Sequence, residues 1–284
     1  MNRLVSSRIP ALLTLAALGA AGGGAESAPP SHAGHALGTV HFPVSCSERA
    51  QGEFDRALAL LHHMTYPQAR AAFQEIVSAE PECAMAHWGV AMTLFQPLWP
   101  TRPGPEALRR GLEEARRAEA LAAPTRRERL FVAAAMAFFG EPETLGYWQR
   151  IRRWEEAQAS LYTAFPQDSE ATAFYALAHL AIAPADRASR AEADRAAELL
   201  LGVYERNPDH PGAMHYLVHA NDVPGREREL LEIVRKYETV APRNPHALHM
   251  PTHIYTRLGD WEAVVRGNLK AAEAALEYPA GERG

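Results

Sequence analysis

The sequence predicts an all-α protein, a right-handed solenoid of helix-turn-helix repeats, on three observations. The first is a pattern that occurs twice. His215 and His219 sit four apart after Pro208, and His249 and His253 sit four apart after Pro242, with prolines and histidine pairs alike displaced by 34 residues. A fixed displacement of that size marks a helical repeat array. The second is composition: alanine, leucine, glutamate and arginine dominate, and no Val/Ile/Thr-rich alternating run occurs, which favours helix throughout. With 47% apolar and 22% charged residues in 284, the chain is of the folded kind and long enough for a sizeable core. The third is the spacing of Tyr66, Ala69, Phe73 and Pro81. A small Ala lets paired helices approach, the aromatic rings fill the space between them, and Pro stops the second helix.

Taken in order, the chain opens on an address. Arg3 and Arg8 precede an apolar run to about residue 21, and Ala25-Glu26-Ser27 offers a small-x-small cleavage site, so residues 1–27 read as a secretory signal peptide. The run is too short for the roughly 20 residues that cross a bilayer, and no later segment is apolar enough to span. The formal net charge of −5 becomes one unit more negative without Arg3, Arg8 and Glu26, which makes nucleic acid and anionic membrane poor partners. Residues 28–47 form an extended leader rich in Pro, Gly, Ala and His. Its His32, His35 and His41 read as solvated linker residues, with His41, between Val40 and Phe42, the exception most open to a ligand role.

The solenoid occupies 48–284. One helix is expected over 48–64, a second through Tyr66 to Pro81, and a third from Cys83 onward. Five residues, Pro97, Trp99, Pro100, Pro103 and Pro105, break the frame into an insertion loop over 96–105, with Trp99 on it. Helices resume at Glu106–Ala122, Arg126–Phe139, Gly146–Phe165 and Ser169–Ala183, the last carrying Tyr175 and His179 four apart. After a polar loop near 184–190 comes a helix with Ala196, Leu200 and Pro208, and then the two histidine-bearing repeats. In the final repeat Val264 and Asn268 stand where small and aromatic residues are expected, and no polar helix follows to cap the array, which points to a capping partner or to further chain. The two cysteines, Cys46 and Cys83, precede helix starts that neighbouring repeats lay side by side; in an exported chain they read as a disulfide, with reduced thiols or metal thiolates the alternatives.

These residues resemble the tetratricopeptide repeat (TPR) family: the 34-residue displacement, Ala69-x3-Phe73, the terminal prolines and the Cys83-Ala84-Met85-Ala86-His87-Trp88-Gly89 run. The A-M-A-H-W-G run at 84–89 and the H-A-L-H-M-P-T-H run at 246–253 are similar to those of exported bacterial TPR proteins with His-bearing groove helices. The resemblance implies the TPR-type right-handed α-solenoid over nearly all of the mature chain, in the periplasm or outside the cell, and transfers no activity. It also implies that the first helix of each repeat lines a concave groove. That places His87, Tyr175, His179, His215, His219, His249 and His253 on the wall, with His62 or His63 facing the same side, and Trp88, Trp99 and Arg257 beside them.

Side chains four apart share a helical face, so each histidine pair aims both imidazoles one way, and equivalent places in stacked repeats should bring the pairs together. Packing gives no reason to repeat imidazole at 34 residues, whereas neutral histidine is the commonest metal ligand. Descent by duplication would repeat it without any metal. The candidate ligands are His179, His215, His219, His249 and His253, with His87 and His62 beside them. A lone His87 reads more readily as a hydrogen-bonding wall residue, Tyr175 equally as an aromatic wall residue or as a ligand or redox partner, and His210 and His246 as caps or surface residues. All-imidazole sites suit copper or zinc, and iron and nickel are compatible; no inward carboxylate pattern suits calcium or magnesium. Met214 and Met250 would suit copper but by helical geometry pack between helices. The chain lacks H-E-x-x-H, which excludes a standard zincin protease, and neither a Ser nucleophile elbow nor a Gly-rich phosphate loop occurs.

Two functions stand against each other. One is an exported solenoid that binds a transition metal, as a metalloenzyme with an open coordination position or as a carrier. The other is a scaffold holding a peptide or protein in its groove without metal. Groove helices bearing His and Tyr, where carboxylate-binding grooves carry Lys, Arg and Asn, tilt the reading to metal.

Overall fold

A computed structural model describes residues 35–185 and 189–277. The expected signal peptide and the first part of the leader lie outside the described residues. Those described form helices joined by short turns, with no strand.

Successive helices pack against one another in chain order. Helix α1 (Glu48–His62), started by the Ser47 hydroxyl accepting from the Ala50 amide, pairs with α2 (Tyr66–Ala79), whose inner face is Tyr66, Ala69, Phe73 and Ile76. Next come α3 (Ala84–Thr93) with α4 (Pro105–Ala120), and α5 (Arg126–Phe139), which opens on a Thr125–Glu128 capping box, with α6 (Tyr147–Ala164). Helix α7 (Ser169–Ile182), capped by Asp168, pairs with α8 (Ser189–Arg206), and α9 (Pro211–Asn221) lies beside α10 (Leu231–Val240). The array ends with α11 (Pro245–His249), α12 (Pro251–Leu258) and α13 (Trp261–Ala275). This is the expected all-α array of helical hairpins, with the chain from 96 to 104 as the non-helical insertion.

Two features depart from an open groove. Helix α1 touches α9 as well as its own neighbours, so the inner side of the array is filled there. Trp88, expected on the groove wall, is 1% exposed and is instead core: its ring lies 5.6 Å from those of Phe42, Phe131 and Phe174. On α3 every residue is buried, because the helix has neighbours on all sides, and a residue at that place has no groove to line.

The leader straps the first hairpin to the later repeats. Leu37, Val40 and Phe42 are buried, Thr39 donates its amide to the Asp209 carbonyl (2.9 Å), and Asn207 returns a bond to the Thr39 carbonyl (2.9 Å). His41 points out, with Nδ1 3.6 Å from the Asp55 carboxylate, and among the described residues belongs to no group of three candidate ligands. Gly38 (φ 83°) takes the left-handed turn that brings the strap against Asp209.

Cys46 and Cys83 are joined, with Cα atoms 5.5 Å apart, and pin the start of α1 to the start of α3. The bond closes a loop across 37 positions. Replacing both cysteines with alanine is expected to lower unfolding free energy by roughly 2–4 kcal/mol, measured by urea denaturation. An unchanged midpoint would show that the loop constrains little of the unfolded chain.

His63 lies in the filled inner side. It is fully buried, its Nε2–H donates to the Leu37 carbonyl (3.0 Å), and its Nδ1 accepts from the Tyr237 hydroxyl (2.9 Å). Burial lowers its pKa to about 4. The unfolded ring titrates near ~6.5, so the unfolded chain binds the proton first. The stability this group contributes is fully present above pH ~6.5 and is lost as pH falls toward ~4, at roughly 1.4 kcal/mol per unit. Urea midpoints are expected to drop between pH 7 and pH 5, and a His63→Gln variant should show a flatter dependence.

Among the described residues no helix is long and apolar enough to cross a membrane. At the end of the array, Trp261, Val265 and Leu269 stand four apart on one face of α13 and are 65%, 59% and 60% exposed.

Candidate metal centre

Three segments build the centre: α9, and α11 and α12 one repeat later. Gly212 sits in the first turn of α9 and faces His62; a Cβ there would come within 2.9 Å of the imidazole carbons. Only glycine permits that approach. It sets the His62 carbonyl 2.5 Å from His215 Nδ1. A carbonyl only accepts, so Nδ1 carries the proton and Nε2 keeps its lone pair. His219 follows one turn on, its ring 5.0 Å from that of His215.

Asn244 opens α11, accepting from the Ala247 amide (3.0 Å) and donating to Thr65 Oγ1 (2.7 Å), which ties this helix to the turn after α1. His246 then lies 4.9 Å from His215, ring to ring, and stacks on Trp99 of the insertion loop at 5.8 Å. Pro251 divides α11 from α12 and removes an amide donor, but Met250 keeps helical angles (φ −55°, ψ −40°) and Thr252 Oγ1 donates to the His249 carbonyl (2.7 Å). The helix direction survives, and His249 and His253 stay on one face, 5.0 Å apart. Ring distances of 6.1 Å from His219 to His253 and 6.0 Å from His246 to His249 complete a closed circuit of the five imidazoles.

The donor atoms follow. One ligand atom from each of His215, His219 and His246 lies within 4.8 Å of the others. In all three the buried Nε2 has no hydrogen-bond partner. Burial, then neighbouring histidines, lowers the pKa of His215 well below the usual imidazole value, of His219 to about 4 and of His246 to about 3. These rings are neutral near pH 7, with lone pairs available. His253 Nδ1 meets Asp222 Oδ2 (2.9 Å), whose other oxygen accepts from Arg257 Nε (2.7 Å). Burial alone would raise the Asp222 carboxyl, but His253 and Arg257 hold it below the usual value.

Two clefts adjoin the circuit. One, of ≈ 710 Å³, reaches His249, His253, Asp222, Thr252, Arg257 and Asn268. The other, of ≈ 600 Å³, is walled by Pro97, Leu98, Trp99, Trp148 and Val223 and reaches His219.

Of the expected ligands, His215, His219, His249 and His253 come together, with Trp99 and Arg257 at the edges. His62, His87 and His179 stand elsewhere. His62 Nε2 bonds Glu170 Oε2 (2.8 Å), and its Nδ1 accepts from Tyr216 (3.0 Å). His210 Nε2 takes the other Glu170 oxygen (3.0 Å) while its Nδ1 caps α9, the capping role expected of it. His62, Glu170 and His210 are also near enough to one another for an ion, but every nitrogen already has a partner, so the group is a buried hydrogen-bond network. His87 has both nitrogens on oxygens, Glu114 Oε2 (2.7 Å) and the Pro81 carbonyl (3.1 Å). His179 bonds Glu192 (2.5 Å) and packs on Tyr175, which itself stacks on Tyr162 rather than lining the circuit.

The residue missed by sequence reading is His246, expected as a cap or surface residue and found half-buried in the circuit. Its signal was the i, i+3, i+7 spacing of His246, His249 and His253, which puts all three on one helical face. Asn268 has a comparable history. It breaks the repeat pattern because its Oδ1 holds His249 Nδ1 (2.8 Å).

No protein-family profile and no curated protein sequence matches the chain. Among solved structures it is similar to PilW, described as a widely conserved type IV pilus biogenesis factor, with a TM-score of 0.40 and 17% identity over 84% of this chain and 97% of that one. A likeness of that degree leaves function to the residues themselves.

Proposed function

We propose that this protein binds a transition metal ion through imidazoles of α9, α11 and α12. The observation that carries the reading is the trio of buried, unpartnered Nε2 atoms on His215, His219 and His246. A buried polar nitrogen without a partner costs about 1–3 kcal/mol, and folded proteins rarely hold three on adjoining residues. A cation is the partner that all three accept at once. The all-imidazole set suits zinc or copper. Asp222 turns its oxygens to His253 Nδ1 and Arg257, so it orients a ligand and is not itself the carboxylate of an iron triad. Three imidazoles leave a position open, and the cleft that reaches His219 gives solutes a way toward it, which supports a metalloenzyme over a closed structural site. The Cys46–Cys83 bond suits an oxidising compartment and, with the leader read from sequence, supports export.

Elemental analysis of protein purified from its native compartment tests the reading. Stoichiometric zinc or copper is expected, and a His246→Ala variant, altered at a half-buried ring, should lose the ion held with His215 and His219 while keeping its circular dichroism. No metal in the wild type, with stability indifferent to added zinc or copper, favours the second reading, a peptide-holding scaffold. The aromatic and proline-lined cleft around Trp99 and Trp148 is the observation behind that alternative.

Asp222→Asn removes the charge behind His253. Metal affinity is expected to fall 10- to 100-fold, as for other outer-shell partners, read by competition with a chromophoric chelator. An unchanged affinity would detach Asp222 from the centre.

A further inference from the structure

We propose that the histidine circuit holds two ions rather than one, an inference that rests on the metal reading above. Five imidazoles exceed the four positions of a tetrahedral ion. They also divide by geometry. Among the described residues, His215, His219 and His246 are mutually within reach of one ion, and His249 and His253 do not join that group.

The remaining pair has its own demand for a cation. Asn268 Nδ2 donates to the Val264 carbonyl (3.1 Å), which fixes the amide so that Oδ1 accepts from His249 Nδ1–H. The Asp222 carboxylate accepts from His253 Nδ1–H. With both outer nitrogens protonated, the two Nε2 lone pairs face each other at 3.2 Å. Two like lone pairs at that distance repel unless something positive lies between or beside them. Nitrogens bound to one tetrahedral ion at about 2.0–2.1 Å sit about 3.3–3.4 Å apart, so the pair is already spaced as two ligands of one ion. A proton shared between the rings is the other way to satisfy them, and the test separates the two.

An ion on His249 and His253 has two protein ligands and borders the cleft of ≈ 710 Å³, which Thr252, Thr256 and Arg257 also line. The first ion is held from three sides beside the second. The pair makes a centre of the kind in which one metal positions a polar substrate and the other presents water.

Native mass spectrometry of the folded protein titrated with zinc, repeated with copper(II), reads the stoichiometry directly. The wild type is expected to take two equivalents. A His249→Ala, His253→Ala variant is expected to take one, and a His246→Ala variant is expected to keep the ion of the intact pair. His253→Gln, a milder change at a half-buried ring, serves if the double variant does not fold and should also lower the count to one. A single equivalent in the wild type that survives His249→Ala, His253→Ala overturns the two-ion proposal, with the proton satisfying the pair, and leaves the metal reading standing. A single equivalent lost in that variant assigns one ion to the pair and likewise overturns it. No bound metal in the wild type overturns the underlying reading itself.

Discussion

Zinc or copper at a thousandfold excess over its dissociation constant is expected to raise the unfolding free energy of the wild type by about 4 kcal/mol through the ion on His215, His219 and His246, and a His215→Ala, His246→Ala variant is expected to lose that increment and keep only what the His249–His253 pair contributes. The magnitude follows from linkage, since an ion that binds only the folded circuit shifts the folding equilibrium by mass action. The variant removes His215, whose ring neighbours those of both His219 and His246, together with His246 itself, and leaves His219 as the one ligand of the first donor set. Urea denaturation with and without the ion gives the difference. His215 is wholly buried, so the variant loses stability in the absence of metal as well. The quantity that decides is the metal-dependent increment, not the starting midpoint. An equal increment in both proteins would place the ion elsewhere.

Glu170→Ala is expected to lower stability on the order of 3–5 kcal/mol, the cost of breaking a buried charged network by removing one partner. The carboxylate is 2% exposed and accepts from His62 at 2.8 Å and from His210 at 3.0 Å. Burial would raise its pKa, but His210 and His62 together hold it well below the usual carboxylate range. Without it, two buried N–H groups lose their acceptor at once. The effect should reach the metal centre, because His62 also presents the carbonyl that fixes the His215 tautomer. Glu170→Gln keeps an acceptor oxygen and should fall between wild type and Glu170→Ala in both stability and metal affinity. A Glu170→Ala protein as stable as the wild type would mean that the network contributes nothing net.

What the sequence makes legible is the part governed by periodicity. The 34-residue displacement and the Ala69, Phe73, Pro81 spacing depend only on helices alternating and packing, and the helices fall where those signals put them. His215, His219, His249 and His253 converge for the same reason, equivalent positions of successive repeats facing one way. The readings that differ depend on how far the array curls, which no short-range pattern encodes. Contact between α1 and α9 closes the inner side, and with it His62 becomes a hydrogen-bonded interior residue. Trp88 is buried by neighbours on every side of α3. Asn268 and Val264 looked like decay of the repeat pattern. In the fold Val264 orients Asn268 and Asn268 orients His249, so the departure from pattern is itself part of the centre.

X-ray absorption at the metal edge of the zinc- or copper-loaded protein tests the central claim most directly. The account predicts a shell of nitrogen at about 2.0–2.1 Å with the outer scattering of several imidazole rings and no sulfur. A shell of oxygen alone, or one containing thiolate sulfur, would contradict it, because no arrangement of these five histidines produces either.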